Sequence, residues 1–150
     1  MEIKEFLTPS DVLVGVRALD KTRLLQDLCR RAASILQIDA DKITADIVKR
    51  EELGSTGMGG GVAIPHARIP DVKRPFGLFA RLKSAIEFDA IDRQPVDLVF
   101  LLLLPTASAD EQLNALALVA RSLRDADTVR NARRATNPSG LYAAVAPSQK

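Results

Sequence analysis

A chain of 150 residues is long enough for one domain that buries roughly 70% of its unfolded surface, and a hydrophobic fraction of 47% excludes wholesale disorder. A net charge of only +2, with five Phe, one Tyr and no Trp, disfavours a single-strand nucleic-acid binder, which needs stacking aromatics in a basic groove. The longest apolar run, residues 98–104, is too short for a membrane span of ~20 residues, so we expect neither a nucleic-acid partner nor membrane insertion.

The first half of the chain predicts one strand followed by two helices. Residues 12–16 are typical of a strand, and apolar residues recur at helical spacing over residues 21–37. A second helix follows, capped by Asp39 or Asp41, and Gly54 suits the position just after its end.

The second half supplies further strands and helices. Residues 76–82 are a strand candidate, and residues 96–104 are nearly all apolar, which is typical of a central strand covered on both faces. Strands that alternate with amphipathic helices predict an α/β sandwich, with helices on both faces of a mixed sheet. The helices expected here begin at Ser108 or Asp110 and cover residues 128–135 and 139–145.

The most informative stretch is 55–66, which reads Ser-Thr-Gly-Met-Gly-Gly-Gly-Val-Ala-Ile-Pro-His. Glycine is favoured where the chain takes positive φ or approaches another group closely. The apolar run 62–64 suits a buried strand, and Pro65 makes a rigid joint before His66, the only histidine of the chain. The pattern therefore predicts a segment that presents one imidazole.

Several interpretations of His66 are open on composition alone. A lone histidine at a strand end is most often a surface residue or a satisfied core residue. One His and one Cys leave few ligands for zinc, so no metal and no cofactor are expected. Cys29 has the pattern of a small core hydrophobe, which disfavours a Cys-His protease pair, and no Gly-x-Ser-x-Gly elbow is present. A single cysteine and the lack of a signal peptide at the amino end fit a reducing cytoplasm.

A phosphate site uses more of the sequence. Backbone N–H groups of a glycine loop form an anion-binding concavity, and Arg50, at the end of the preceding helix, would clamp two oxygens. A neutral imidazole is a good phosphoryl acceptor near pH 7, because its unperturbed pKa is ~6.5. The glycines match neither a Walker motif nor a dinucleotide fingerprint. The candidate phosphate-binding residues are Ser55, Thr56, Gly57, Gly59, Gly60 and Gly61.

The stretch 55–66 resembles the active-site signature of the fructose/mannitol-type enzyme IIA domain of the bacterial phosphotransferase system. Residues 88–100, Phe-Asp-Ala-Ile-Asp-Arg-Gln-Pro-Val-Asp-Leu-Val-Phe, are similar to the second block of that family, most like its nitrogen-regulatory branch. The resemblance implies a single domain over residues 7–145, with short terminal arms at 1–6 and 146–150. It also implies a mixed sheet of about five strands with helices on both faces.

The resemblance further implies that His66 is the phosphorylated residue. The phosphoryl group would come from a small phosphocarrier protein, charged by an enzyme I and ultimately by phosphoenolpyruvate. Arg50 matches an arginine that assists in the family's site. The position of the family's second histidine, counted from Pro105, is here Gln112. A glutamine amide cannot become cationic, so this difference bears on onward transfer more than on phosphorylation itself.

Three functions stay open, and the favoured one is a regulator that signals through its phosphorylation state. The first alternative is a sugar-transport IIA component that passes phosphate to a IIB domain. The second is a non-catalytic module that docks a partner. Arg68 is close enough in sequence to His66 to contact a phosphate, but loop arginines are more often solvated. The arginines from residue 121 to 134 are a candidate nucleic-acid patch, but a solvated helix face is the commoner case.

Overall fold

The computed structural model describes residues 1–107 and 109–147, with the backbone alone at 109, 111 and 112. Within these residues, one strand is followed by two α-helices, then by five strands and three further α-helices. The elements are β1 (Val12–Val16), α1 (Lys21–Leu36), α2 (Ala40–Glu52), β2 (Gly57–Gly59), β3 (Val62–Ala63), β4 (His66–Arg68), β5 (Phe76–Ile86), β6 (Val96–Leu104), α3 (Ala109–Arg124), α4 (Ala126–Arg134) and α5 (Pro138–Val145).

The strands form one mixed sheet in the order β1–β5–β6–β3–β2, and β4 also pairs with β6. β6 runs antiparallel to β5 and parallel to both β3 and β4. The predicted fold class, a mixed sheet between two helical layers, is confirmed. The described sheet has six strands where about five are expected, because the glycine stretch forms β2 and His66 opens β4.

Alternating side chains of β6 belong to two separate cores. The odd-numbered residues 99–103 pack with α1 and α2, and the even-numbered residues 98–104 pack with α3, α4 and α5. All of them are buried, which explains why this strand is apolar at every position from 98 onward. Burial of each such side chain stabilises the fold by ~1.5–3 kcal/mol.

The helix α1 has the predicted cap and apolar face. The Asp20 carboxylate accepts a hydrogen bond from the N–H of Arg23 at 2.8 Å, and Leu24, Leu28 and their helical neighbours are buried. The helix ends at Leu36, because the following residue takes a left-handed conformation. The predicted range 21–37 is therefore correct to within one residue.

The apolar spacing of α3 predicts a stripe formed by Leu113, Leu116, Ala117, Ala120 and Leu123, of which the structure buries Leu123 alone. The buried side chains of the helix are Ala115, Val119 and Leu123, whereas Leu113 is 66% exposed. A helix turns by about 100° per residue, so Leu113 lies roughly 200° around the axis from Ala115. The predicted cap Ser108 lies outside the described residues.

The amino-terminal residues 1–6, expected to form a short arm, contain a 3-10 turn over Ile3–Glu5. Ile3 and Phe6 are buried in the same core as α3, α4 and α5. The ring of Phe6 meets that of Phe100 edge-on at 6.3 Å. This segment therefore packs against β6 on the side that faces α3, α4 and α5.

Candidate active site

The imidazole of His66 is half-buried at the start of β4, and one of its nitrogens is already engaged. Its Nδ1 lies 2.8 Å from the carbonyl oxygen of Ile64. A carbonyl oxygen only accepts, so Nδ1 carries the proton and the lone pair of the neutral ring is on Nε2. Pro65 favours this geometry, because its ring fixes φ between the two partners.

The pKa of His66 lies below its ordinary value of 6.5. The largest cause is burial, which disfavours the charged ring, and the Arg50 guanidinium acts in the same direction. The hydrogen bond to Ile64 and the Glu51 carboxylate oppose these effects. The ring is therefore uncharged and nucleophilic at neutral pH.

His66 lines a cavity of about 430 Å³ between α2, β4 and α3. One wall is formed by Asp46, Lys49 and Arg50 on a single face of α2, and by Leu53 directly after its end. These positions are spaced i, i+3, i+4 and i+7, which places their side chains on one side of a helix. The end of α2 and the start of β4 thus build the cavity together.

The cavity is cationic. Among the described residues, Lys49, Arg50 and Arg68 line it, against one carboxylate, that of Asp46. The Nη1 of Arg50 donates to the carbonyl of Gly54 at 2.9 Å, which anchors the guanidinium at the end of α2. One cation 4 Å from an anion contributes about 4 kcal/mol at an effective dielectric of 20, before desolvation is subtracted. The site can therefore hold a multiply charged anion beside a neutral imidazole.

A chain of hydrogen bonds leads from α1 to this imidazole. The Glu51 side chain, only 5% exposed, pairs with Lys21 of α1 at 3.0 Å. It also accepts from the N–H of Thr56 at 3.1 Å and from the Thr56 hydroxyl. The carbonyl of Thr56 accepts from the N–H of Ile64 at 3.1 Å, and the carbonyl of Ile64 accepts from His66. A buried ion pair thereby fixes the backbone that orients the ring.

The glycine stretch forms the β2–β3 hairpin and lies apart from His66. Among the described residues, none from 55 to 61 lines the His66 cavity. Val62 pairs with Leu98 and His66 with Leu102, so the turn end of the hairpin lies roughly 13 Å from His66 along β6 at ~3.3 Å per residue. The described structure therefore does not bring the hairpin turn and His66 together in one cavity.

The hairpin turn has its own hydrogen-bond partners. The N–H of Gly60 donates to Oδ2 of Asp92 at 3.0 Å, and its carbonyl accepts from Arg133 at 2.6 Å. Asp92 has a pKa below its ordinary value, chiefly because of this bond from Gly60. Gly59, Gly60 and Gly61 all have positive φ, which explains the glycines without a ligand.

The remaining candidate phosphate-binding residues tie the hairpin to the loop before β6. The Ser55 hydroxyl donates to the carbonyl of Phe88 at 2.8 Å and accepts from the N–H of Gly57 at 3.1 Å. A Cβ on Gly57 would lie 2.8 Å from the Cα of Ala90, so the close approach of two backbones requires glycine. These contacts give Ser55 and Gly57 a structural role, as the Glu51 bonds do for Thr56.

The family model for the phosphoenolpyruvate-dependent sugar phosphotransferase system, EIIA 2, matches residues 5–147. The chain belongs to this EIIA family. A nitrogen regulatory protein of Bradyrhizobium diazoefficiens is 39% identical over 146 residues, which cover 97% of this chain and 95% of that protein. A nitrogen regulatory protein of Pseudomonas aeruginosa is 38% identical over 150 residues, with 99% and 97% covered.

The fold agrees with a nitrogen-regulatory EIIA protein of known structure. The crystal structure of nitrogen regulatory protein IIA-Ntr from Neisseria meningitidis has a TM-score of 0.90 and 30% identity. The match covers 95% of this chain and 98% of that one. The resemblance to the nitrogen-regulatory branch, stated from two sequence motifs, is confirmed.

Gln112, the predicted position of the family's second histidine, lies on α3, which forms another wall of the cavity. Leu113 and Leu116 of α3 line the cavity. Gln112 precedes them in α3, but its side chain lies outside the described residues. Its role in the EIIA site therefore stays a prediction.

Other residues of the EIIA cavity do not stand out in the sequence as candidates. Lys49 is signalled only by its place on the same helix face as Arg50. Arg68, expected to be a solvated loop arginine, lines the cavity, because residues two apart on β4 share a face with His66. Glu51 is marked by no motif, and its role depends on a fold that brings α1 beside it.

In the part of the chain that the structure describes, no three His, Cys, Asp or Glu side chains are grouped so that they would hold a metal ion. None of the described helices is both long enough and apolar enough to cross a membrane. Cys29 is buried, and burial raises the pKa of its thiol to about 11, so it stays protonated.

Proposed function

We propose that this protein accepts a phosphoryl group on Nε2 of His66 from a phosphorylated phosphocarrier protein of the HPr or NPr type, and regulates other proteins through its phosphorylation state. An enzyme I would charge the phosphocarrier from phosphoenolpyruvate in the bacterial cytoplasm. The observation that carries the proposal is the hydrogen bond from Nδ1 to Ile64, which leaves Nε2 as the nucleophile beside a cationic cavity. Membership of the EIIA family supports it.

The transfer is a displacement at phosphorus in which no proton has to leave the ring. The lone pair of Nε2 forms the new N–P bond, and the electron pair of the breaking bond returns to the donor. The proton stays on Nδ1, where the Ile64 carbonyl stabilises the positive charge that develops on the phosphorylated imidazole. The protein thus contributes position and charge, which dominate catalysis of phosphoryl transfer.

The cations have separate tasks around the phosphoryl oxygens. The Arg50 guanidinium presents a planar fork that fits two oxygens, and its bond to Gly54 limits its motion. Lys49 and Arg68 line the same cavity and add charge. We assign Arg50 the stabilisation of the transferring group, with Lys49 and Arg68 as supporting cations.

The rim of the cavity fits a protein donor. Leu53 is 82% exposed and Leu113 is 66% exposed, and both line the cavity with His66. Exposed leucines around a charged centre are typical of a surface that docks another protein. A small-molecule donor would not need them.

The regulatory role is supported by the nitrogen regulatory proteins that this chain resembles. Phosphorylation adds ≈ −1.5 to −2 charges, which would offset the excess of cations in the cavity and change its affinity for partners. The second candidate is a sugar-type IIA component that passes phosphate to a IIB domain, which the family's sugar-system description favours. A non-catalytic docking module is the third, and it would bind its partner equally well with or without phosphate.

The test is to incubate the purified protein with labelled phosphoenolpyruvate, an enzyme I and a nitrogen-type phosphocarrier. The proposal predicts an acid-labile label on the protein and none on His66→Ala, with Arg23→Ala as a labelled control on an exposed face of α1. An unlabelled protein, or label on His66→Ala, would count against it. Adding a IIB domain then separates the candidates, since only the sugar-type component should lose its label to it.

A further inference from the structure

A second cavity, of about 600 Å³, lies between the β2–β3 hairpin and the helices α3 and α4. It shares no described lining residue with the His66 cavity. Its apolar surface comes from Met58, Leu123 and Val129, of which Leu123 is buried and the other two are half-buried. A volume of this size falls within the ~300–1,000 Å³ that is usual for small-molecule sites.

The charged lining of this cavity has one sign. Four arginines line it, and among the described residues no carboxylate does. Such a ring of guanidinium groups around an apolar floor differs from a solvated helix face, in which charges of both signs alternate. The four are Arg124, Arg130, Arg133 and Arg134.

Two of the arginines have carboxylate partners outside the cavity lining. Arg133 donates three hydrogen bonds to Asp97, from Nη2 to Oδ1 at 2.8 Å and from Nε to Oδ2 at 3.0 Å and to Oδ1 at 3.3 Å, and it also donates to the carbonyl of Gly60. Arg130 pairs with Asp127 on the same helix. Arg133 is therefore part of the wall, since it joins α4 to the hairpin.

The positive charge of the other two arginines is not balanced by a carboxylate partner among the described residues. Within the described residues, Arg124 and Arg134 make no ion pair. The nearest acidic residue in sequence, Asp125, caps α4 by accepting from the N–H of Thr128 at 3.0 Å and from its hydroxyl at 2.9 Å. The cavity therefore has two guanidinium groups without an anionic partner, next to an apolar floor.

We infer that this cavity binds a small phosphorylated molecule that also has an apolar group. The phosphate fits Arg124 and Arg134, because planar guanidinium forks match phosphate oxygens in pairs. The apolar group packs on Met58, Leu123 and Val129. A nucleic acid fits less well, because it needs a basic surface that extends beyond one cavity. The inference does not depend on phosphorylation of His66, since the two cavities are separate.

The experiment is a titration of ¹⁵N-labelled protein with phenyl phosphate, followed by amide NMR. Phenyl phosphate is the probe because it joins a dianion to an apolar ring. We expect shifts at the amides of Met58, Gly59, Gly60 and Val129, with saturation by about 10 mM for a Kd of ~1 mM or tighter. Inorganic phosphate, which lacks the ring, should bind at least about tenfold more weakly.

Single variants identify the groups that hold the phosphate. Arg124→Ala and Arg134→Ala should each weaken binding about tenfold while the spectrum stays that of a folded protein. Arg121→Ala is the matched control, since Arg121 is exposed on the same helix as Arg124 but does not line the cavity. No shift up to about 10 mM, or shifts confined to the His66 cavity, would overturn the inference. Equal binding of inorganic phosphate, or tighter binding of a single-stranded oligonucleotide to the same arginines, would overturn it as well.

Discussion

The Nδ1 of His66 and the carbonyl oxygen of Ile64 lie 2.8 Å apart, on either side of Pro65. This bond selects the tautomer in which Nε2 has the free lone pair, before any donor arrives. The same carbonyl belongs to a peptide chain that Thr56 and Glu51 hold in place. The chemistry expected of the imidazole thus depends on a structural network that begins at α1.

Loss of the Arg50 guanidinium should slow phosphorylation without unfolding the protein. We expect Arg50→Ala to reduce the rate by about 10²-fold, as for removal of one preorganised donor, and to change the free energy of unfolding by no more than about 0.5 kcal/mol. Rapid-quench labelling with phosphorylated phosphocarrier measures the rate. The exposed Arg23→Ala serves as control, and equal rates for the two variants would remove Arg50 from the site.

His66 should resist protonation in the folded protein. Since burial lowers its pKa below 6.5, the unfolded state binds more protons between the two pKa values. The free energy of unfolding should therefore fall as the pH drops below about 7 and through 6.5, and this contribution should level off below the folded pKa. Urea titrations of the protein and of His66→Gln isolate the effect, because the variant lacks it. If the protein instead became more stable relative to His66→Gln as the pH falls, this result would contradict the burial argument.

The buried ion pair below the site should matter more for stability than an exposed one. Glu51 accepts from Lys21 and Thr56 and is 5% exposed, so we expect Glu51→Gln to lower the free energy of unfolding by about 2 kcal/mol. Asp71→Asn is the matched control, because Asp71 pairs with Lys42 at 3.1 Å and both are about half exposed. That change should cost less than about 1 kcal/mol. Urea denaturation measures both changes in the free energy of unfolding. Similar losses for the two variants would argue against the chain of hydrogen bonds from α1 to the imidazole.

The local patterns allow much of the fold to be predicted from sequence. The helix α1 has a cap and a regular apolar face, and β6 is apolar at nearly every position, so each is evident without its neighbours. The strands β2 and β4 have three residues each and no period of their own. They exist because β3 and β6 provide partners, which is tertiary information.

The site is harder to predict, because it depends on strand register. His66 and Arg50 are signalled by their motif and by position. The distance from the glycines to His66 follows from the pairing of Val62 with Leu98 and of His66 with Leu102, which no local pattern encodes. The glycines are explained by the positive φ values of the turn and the close approach of Gly57 to Ala90, and in the structure they form a tight hairpin whose turn does not line the His66 cavity.

The hairpin glycines should affect stability and leave phosphoryl transfer intact. Gly60 has φ +68 with open space around it, so Gly60→Ala should cost ~1–2 kcal/mol in free energy of unfolding. The rate of phosphorylation of the folded variant should be unchanged, since Gly60 does not line the His66 cavity. Labelling kinetics below the unfolding transition provide the measurement. A rate lowered as far as that of Arg50→Ala would restore the glycines to the phosphate site.

The identity of the phosphorylated nitrogen tests the proposed mechanism most directly. Phosphorus NMR of the protein, charged by phosphoenolpyruvate through an enzyme I and a phosphocarrier, distinguishes the two phosphohistidine isomers. We expect one signal, that of a phosphate on Nε2, which is absent from His66→Ala. A phosphate on Nδ1, or on a residue other than His66, would contradict the assignment, because Nδ1 is bound to the carbonyl of Ile64.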